Sequence, residues 1–568
     1  MNAKAWAASA ALMMALASCG GFSASQDSAV DTVAPAQFEI ARAAGPPLSP
    51  AAIAQHVRVL ASDAFEGRAP VSPGETKTLE YLIAQFEAAG LRPGYNGAWL
   101  QPVPLQESRV QGEPVLSING GVGSSASVDY LYRRDHVIWT KRNQAALALE
   151  NAPLVFVGYG VVAPEVGWND YAGQDMRGKI AVILINDPDF EADLGGKFGG
   201  KPMTYYGRWT YKFEEAARQG AAGALIIHES APASYPWAVV QSSWTGPQFD
   251  VIRADGAAAR PGVEGWISTP MAAALFHRAG IDFAQAKSAA QKPGFTALAM
   301  PLAASVRLLT AIKQSTSHNV VGMFEGRAAK SEALIYTAHW DHLGRCPPVN
   351  GDDICNGARD NATGTAGLIE LARRFGQEGS LNRSVMFVAF TAEEKGLLGS
   401  AYYAANPAFA ANKTVAAINM DGLQTSGPSR EVVVIGAGKS ELEDMLAAAA
   451  AAQGRRTAPE PFPERGSYFR SDHFELAKIG IPALFANGGI DLVDGGEARG
   501  RALSEAYIAN AYHKPDDEFD ESWNLVGASQ DLQLLYTVGR TIAEGSTWPK
   551  WKAGAEFKAT REASLKQR

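Results

Sequence analysis

Three cysteines in 568 residues are too few for a disulfide framework to carry the fold. Beyond the N-terminus no apolar run reaches about 18 residues, so no transmembrane helix is expected. Basic residues are outnumbered, 51 against 59 acidic ones, and they form no block; a net charge of −8 offers no footprint for a nucleic-acid backbone. There is no Gly-X-Y period and no internal repeat, and 46% hydrophobic residues are too many for a disordered chain. What remains is a globular protein. At about 100–200 residues per domain, its length allows roughly three to five structural units.

One of the scarce cysteines sits at the end of an address. Lys4 supplies a short basic start, and Ala5 to Ala17 form an apolar stretch too short to span a bilayer. Leu16-Ala17-Ser18-Cys19-Gly20 resembles the bacterial lipobox, so residues 1–19 read as a lipoprotein-type signal that leaves Cys19 lipidated. An ordinary signal cut near Ala24 is the alternative. Gly20 after the cysteine resembles the sorting pattern for a Gram-negative outer membrane. Residues 20–48, rich in Ala, Ser, Pro and Gly, read as a flexible linker. The other two cysteines, Cys346 and Cys355, share one Pro/Gly/Asp-rich loop. In an exported protein a disulfide between them is expected; a thiolate metal site is the alternative, but the spacing is not that of a zinc finger.

The exported chain changes texture twice. Ser49 to about Leu105 reads as mostly helical, with helical apolar spacing at Ala51–Leu60 and Glu75–Ala89 and a terminating Gly90. Residues 150–295 are richer in strand-forming runs, such as Pro153–Val162, Lys179–Ile185 and Ala222–His228. From about Ala304 onward, short apolar strands alternate with helices. This implies an α/β fold with a mainly parallel central sheet flanked by helices.

In such sheets, sites form at the carboxyl ends of strands. Here those ends carry ligand-type residues. One strand runs into His339-Trp340-Asp341-His342, the next into Glu393-Glu394, and a third into Asp421. A helix-opening loop contains Asp360, and His513 lies near the end. Each has a duller explanation: a packed histidine, first-turn acids favoured by the helix dipole, an N-cap or a turn. Their conjunction at successive strand ends outweighs these. Imidazoles and carboxylates are zinc ligands, and two metals sharing a carboxylate can clamp a hydrolysis.

At this point the chain resembles the di-zinc exopeptidases of the aminopeptidase Y and glutamate carboxypeptidase II type. The matching segments are HWDHLG (339–344), GARDNATGTAGLIELAR (357–373), RSVMFVAFTAEEKGLLGS (383–400), INMDG (418–422), RSDHFELAKIGIPAL (470–484) and YHKPDDEFD (512–520). LASDAFEGR (60–68) resembles the family's N-terminal part. The resemblance implies a peptidase domain built from residues 49–149 and 305–548, an inserted β-rich protease-associated domain at 150–295, and a tail at 549–568.

It also implies two zinc ions. His339 and Asp421 would hold one, Glu394 and His513 the other, and Asp360 would bridge them. Glu393 would be the general base, Tyr512 would help stabilise the oxyanion, and Asp341 would orient His339. A cis peptide often follows the bridging aspartate in this family. Arg359 departs from many relatives, which have Asp or Asn there; it places a cation beside the site. His342 and His473 lie in matching motifs and are candidates for lining it.

The implied function is a zinc aminopeptidase acting on peptides, anchored through Cys19 at the periplasmic face of a bacterial outer membrane, with no nucleic-acid partner. A carboxypeptidase or acyl-amino-acid hydrolase is the alternative, with Arg359, Arg465 and Arg470 as candidates for a substrate carboxylate. Glutaminyl cyclisation and a non-catalytic receptor are further alternatives, and the complete ligand set weighs against both.

Overall fold

The computed structural model describes residues 47–568 apart from 193, 194, 257, 258 and 380. The signal segment with Cys19, and nearly all of the expected linker, lie outside the described residues. Among the described residues, no helix is long and apolar enough to cross a membrane.

The centre is a group of four parallel strands, in the order Arg383–Phe390, Ala329–His339, Thr414–Asn419 and Ala483–Gly488. Their apolar runs are unbroken because both faces are covered. Leu334, Tyr336 and Ala338 face the same core as Val385, Phe387 and Ala389. The alternate residues Ala333, Ile335, Met386, Val388 and Phe390 face the other core. The first core is roofed by the helices Pro50–Leu60, Pro73–Ala88, Thr363–Glu378 and Val526–Glu544. Both N-terminal helices open on a Ser-Pro pair. Ser49 and Ser72 cap them by accepting backbone N–H bonds, and the prolines sit where no N–H is needed.

Antiparallel strands extend this core on both sides. On one side lie the C-terminal half of Leu298–Phe324, then Leu100–Val110 and Gln248–Val251. On the other side Glu431–Val434 runs antiparallel and Arg456–Pro459 follows it. The sheet is therefore mixed, with its parallel part at the centre. The helical expectation for 49–105 holds only as far as Ala88. Leu100–Val110 is a strand, and the burial of Gln101, Val103 and Leu105 follows its period of two.

The strand Leu298–Phe324 is 27 residues long and belongs to two sheets. Its N-terminal half lies between Leu116–Gly120 and Ala146–Phe156 in a second sheet, which continues through Ile180–Leu184, Gly223–His228, Val263–Ser268 and His136–Trp139. This second sheet takes strands from upstream of position 150, so it is wider than the segment 150–295.

Arg68 locks the N-terminal part to the strand ends. It is fully buried and donates to four carbonyls: Nε to Trp340 at 2.9 Å, Nη1 to Leu60 at 2.6 Å and to Asn356 at 2.7 Å, and Nη2 to Gly357 at 2.8 Å. Gly67 before it has φ +65°, and a Cβ there would lie 2.4 Å from the Cys355 carbonyl oxygen. Replacing Arg68 strands several buried acceptors. Arg68→Met should destabilise the fold by about 3–5 kcal/mol, read as a shift in the guanidinium-chloride midpoint. An unchanged midpoint would remove this clamp from the account.

Candidate metal centre

The parallel strands all deliver their carboxyl ends to one place. His339 is the last residue of its strand, and its carbonyl accepts from Thr365 Oγ1 at 2.8 Å. Its Nδ1 lies 3.1 Å from the backbone oxygen of Asp341, which leaves Nε2 for the centre. The Asp341 carboxylate is farther, 3.9 Å from Nδ1, and instead accepts the backbone N–H of Glu393 at 3.0 Å. The ring of His339 is thus held by a carbonyl rather than by the carboxylate expected to orient it.

His339 Nε2 faces Asp360 Oδ1 and Asp421 Oδ1, each at 3.4 Å. On the other side His513 Nε2 faces Asp360 Oδ2 and Glu394 Oε2, each at 3.2 Å. The two oxygens of Asp360 therefore look at two different histidine–carboxylate sets. All five residues expected as ligands converge here. His342 joins them, with Nδ1 2.6 Å from Glu394 Oε1. Donor atoms of His339, Asp360 and Asp421 lie within 4.8 Å of one another, as do those of His342, Asp360 and Glu394. His473 does not converge. It is buried against the rings of Tyr468 and Phe485, and burial pushes its pKa down to about 3.

Local chemistry holds each carboxylate. Asp421 Oδ2 accepts from Ser471 Oγ at 2.6 Å; Ser471 accepts from Asn419 Nδ2, and Asn419 Oδ1 accepts from Thr337 Oγ1. Asp360 sits in a loop whose N–H groups at 359 and 360 donate to the two carboxylate oxygens of Asp517, at 3.0 and 3.1 Å. The peptide bond from Asp360 to Asn361 is cis. The Asn361 amide ties this loop to the next, donating to the Met420 carbonyl and accepting from Gly364 and Gly422. Gly357 opens the loop at φ +57°, and a Cβ there would meet the Asp360 carbonyl oxygen at 2.3 Å and the His342 ring at 2.4 Å. Asp517 lies inside YHKPDDEFD (512–520), yet the sequence does not reveal its role, because an acid that binds backbone N–H groups looks in sequence like any exposed acid.

The remaining expected residues have different surroundings. Glu393 has no hydrogen-bond partner for its carboxyl among the described residues; burial, with Glu394, Asp421 and Asp472 nearby, raises its pKa well above the usual range. Tyr512 stacks on His513, ring centroids 3.9 Å apart. Cys346 and Cys355 are joined, with Cα atoms 6.0 Å apart, closing the hairpin that leads into Asn356 and Gly357. They are not a thiolate metal site.

The electrostatics fit a bound cation. Burial opposes protonation of His339, yet Glu393, Asp421 and Asp360 hold its pKa well above the usual value. Burial likewise opposes protonation of His513, and Glu394 and Asp360 raise it to about 9. Burial pushes Asp341 up to about 6 and Asp472 to about 7. The pocket demands positive charge, and neutral imidazoles with ionised carboxylates are a hard-to-borderline donor set suited to zinc. Asp517→Asn would keep the shape but lose one acceptor for the loop N–H groups. Its metal affinity should fall about 10–100-fold in chelator competition. An unchanged affinity would reject this support role.

A model of the peptidase family M28 matches residues 319–537. The chain is 36% identical over 96 residues to "Aminopeptidase YwaD" of Bacillus subtilis (strain 168), covering 17% of this chain and 19% of that protein. It is 24% identical over 251 residues to "Probable lipoprotein aminopeptidase LpqL" of Mycobacterium tuberculosis (strain ATCC 25618 / H37Rv), covering 41% and 47%. The matches thus span less than half the length of these curated relatives. Among solved structures, an aminopeptidase from Aneurinibacillus sp. strain AM-1 superposes with a TM-score of 0.47 at 20% identity, over 88% of this chain and 96% of that one. His339, Asp360, Glu394, Asp421 and His513 all fall inside the segment that the model of peptidase family M28 matches.

Proposed function

We propose that the protein is an exported zinc aminopeptidase that removes N-terminal residues from peptides. The observation that carries the reading is the Asp360 carboxylate, which presents one oxygen to His339 and the other to His513. The aminopeptidase names of the two curated relatives support the same reading. Two zinc ions would be held by His339 and Asp421, by His513 and Glu394, and jointly by Asp360, with His342 beside Glu394. Zinc bound there supplies Lewis acidity and lowers the pKa of a coordinated water.

Glu393 is the general base. It stands next to Glu394, its own carboxyl is unengaged, and a high proton affinity suits a group that takes a proton from water and returns it to the leaving amine. Tyr512 donates to the developing oxyanion, and its place on the His513 ring aims it at the centre. Asp341 positions Glu393 through the backbone N–H it accepts.

A second reading is favoured by one observation. Arg208 has a buried Nε without a partner, and it lies with Arg470 on the Tyr512 side of the centre. Two guanidiniums there could bind a substrate's terminal carboxylate, as a carboxypeptidase requires. Arg208, at the N-cap of the helix Trp209–Arg218, lies within residues 150–295, the proposed protease-associated insert. Cys19 is the proposed lipid anchor, placing the enzyme at the periplasmic face of an outer membrane.

Glu393→Gln should retain two zinc ions per chain by metal analysis while kcat falls about 10²–10⁴-fold on peptides with a free N-terminus. Retained turnover would remove Glu393 as the base, and cleavage of only N-blocked peptides by the parent protein would favour the second reading. Cys19→Ala should abolish incorporation of labelled fatty acid in cells; continued labelling would sink the anchor.

A further inference from the structure

A cavity of about 160 Å³ opens beside the metal centre, lined by Gly422, Asn487, Gln424, Ser504 and Arg359 among others. Two contacts tie it to the centre. Gly422 directly follows Asp421, and Asn487 Nδ2 donates to the Asp421 carbonyl at 3.1 Å. The Asn487 Oδ1 is buried and has no partner.

Arg359 is the charged member of this wall. Its backbone is pinned on both sides: the N–H donates to Asp517 Oδ1 at 3.0 Å, and the carbonyl accepts from Thr363 Oγ1 at 2.7 Å. Its guanidinium lies over the Tyr507 ring, 4.3 Å from the centroid. No carboxylate among the described residues forms an ion pair with it. A second observation points the same way. Phe462 follows the lining residue Pro461 and carries two more guanidiniums, Arg465 at 4.0 Å and Arg501 at 5.2 Å from its ring, and neither forms an ion pair among the described residues. Arg359 is thus the one charged residue lining a cavity whose other walls are neutral, in a chain of net charge −8.

We propose that this cavity receives the side chain of the residue being released, and that Arg359 selects an acidic one, glutamate or aspartate. The proposal rests on the aminopeptidase reading. A guanidinium seated over an aromatic ring still presents N–H groups to a carboxylate, which it can bind through two parallel hydrogen bonds. A neutral amide of the same shape satisfies only part of that fork. The rival explanation is that Arg359 merely balances the acids of the centre. That role would act on metal affinity and not on side-chain preference.

The test uses the full chain loaded with zinc and the 4-nitroanilides of glutamate, glutamine, leucine and lysine. Glutamate and glutamine differ in charge but hardly in shape. The expected result is a kcat/KM for glutamate at least about tenfold above that for glutamine. Arg359→Glu should invert the order of glutamate and lysine, and Arg359→Lys should keep glutamate above glutamine. Each ratio is taken within one protein, so a general loss of stability or activity leaves it unchanged. Calorimetry should show free glutamate binding more tightly than free glutamine to the parent protein, and this difference should vanish in Arg359→Glu. Leucine anilide cleaved with a glutamate-to-glutamine ratio near one overturns the proposal and leaves the aminopeptidase reading intact. So does an Arg359→Glu protein with altered zinc content and unaltered ratios. Failure to cleave any free-amine substrate would sink the aminopeptidase reading, and the pocket's assignment with it.

Discussion

One carboxylate must serve two sides at once. Asp360 can face His339 with one oxygen and His513 with the other only if its backbone is held from several directions. Asp517 binds the two N–H groups leading into it, Asn361 pins the residues that follow to the Asp421 loop, and Gly357 turns where no side chain fits. Arg68 then bonds the carbonyls of Asn356 and Gly357 from below. These supports come from the N-terminal helical part, the loop itself and the segment after His513. Long-range folding of the chain is what makes the bridge rigid.

Charge explains why the same place suits a cation. Asp341, Asp360, Glu393, Glu394, Asp421 and Asp472 crowd around three imidazoles in a largely buried pocket. Carboxylates taken from water without compensation are costly, so the acids raise the proton affinity of His339 and His513, and burial with neighbouring acids raises that of Glu393 and Asp472. A divalent ion supplies the missing positive charge more directly. Ligand binding and local stability at this centre are therefore one problem, because the atoms that would hold the metal are those that repel one another without it.

The second sheet is bound into this arrangement. The strand Leu298–Phe324 runs through both sheets, so the two share a backbone ladder rather than a flexible hinge. The strand Gln248–Val251 returns from the second part of the chain to the edge of the central sheet, and Phe249 lies 5.5 Å from the Lys395 ammonium, one residue past Glu394. Arg208 and Tyr235 lie near Arg470 and Tyr512. A region with no catalytic constellation of its own thereby contributes side chains to the mouth of the site.

Much of this was legible residue by residue. Both N-terminal helices, the four buried parallel strands and the acids and histidines at their ends announce themselves through local rules: capping, period, and ligand type at strand ends. The strand at Leu100–Val110 was not legible, because its alternation is half polar and its partner strand lies about two hundred positions away. The support that Asp517 gives the Asp360 loop was equally hidden. It acts through partners distant in the chain, and an acid looks alike in sequence whether it meets solvent or a loop. Composition and spacing named the chemistry, since coordination depends on atom type. Which oxygen faces which ring, and what holds it there, emerged from packing, since direction is a property of neighbours that only folding brings together.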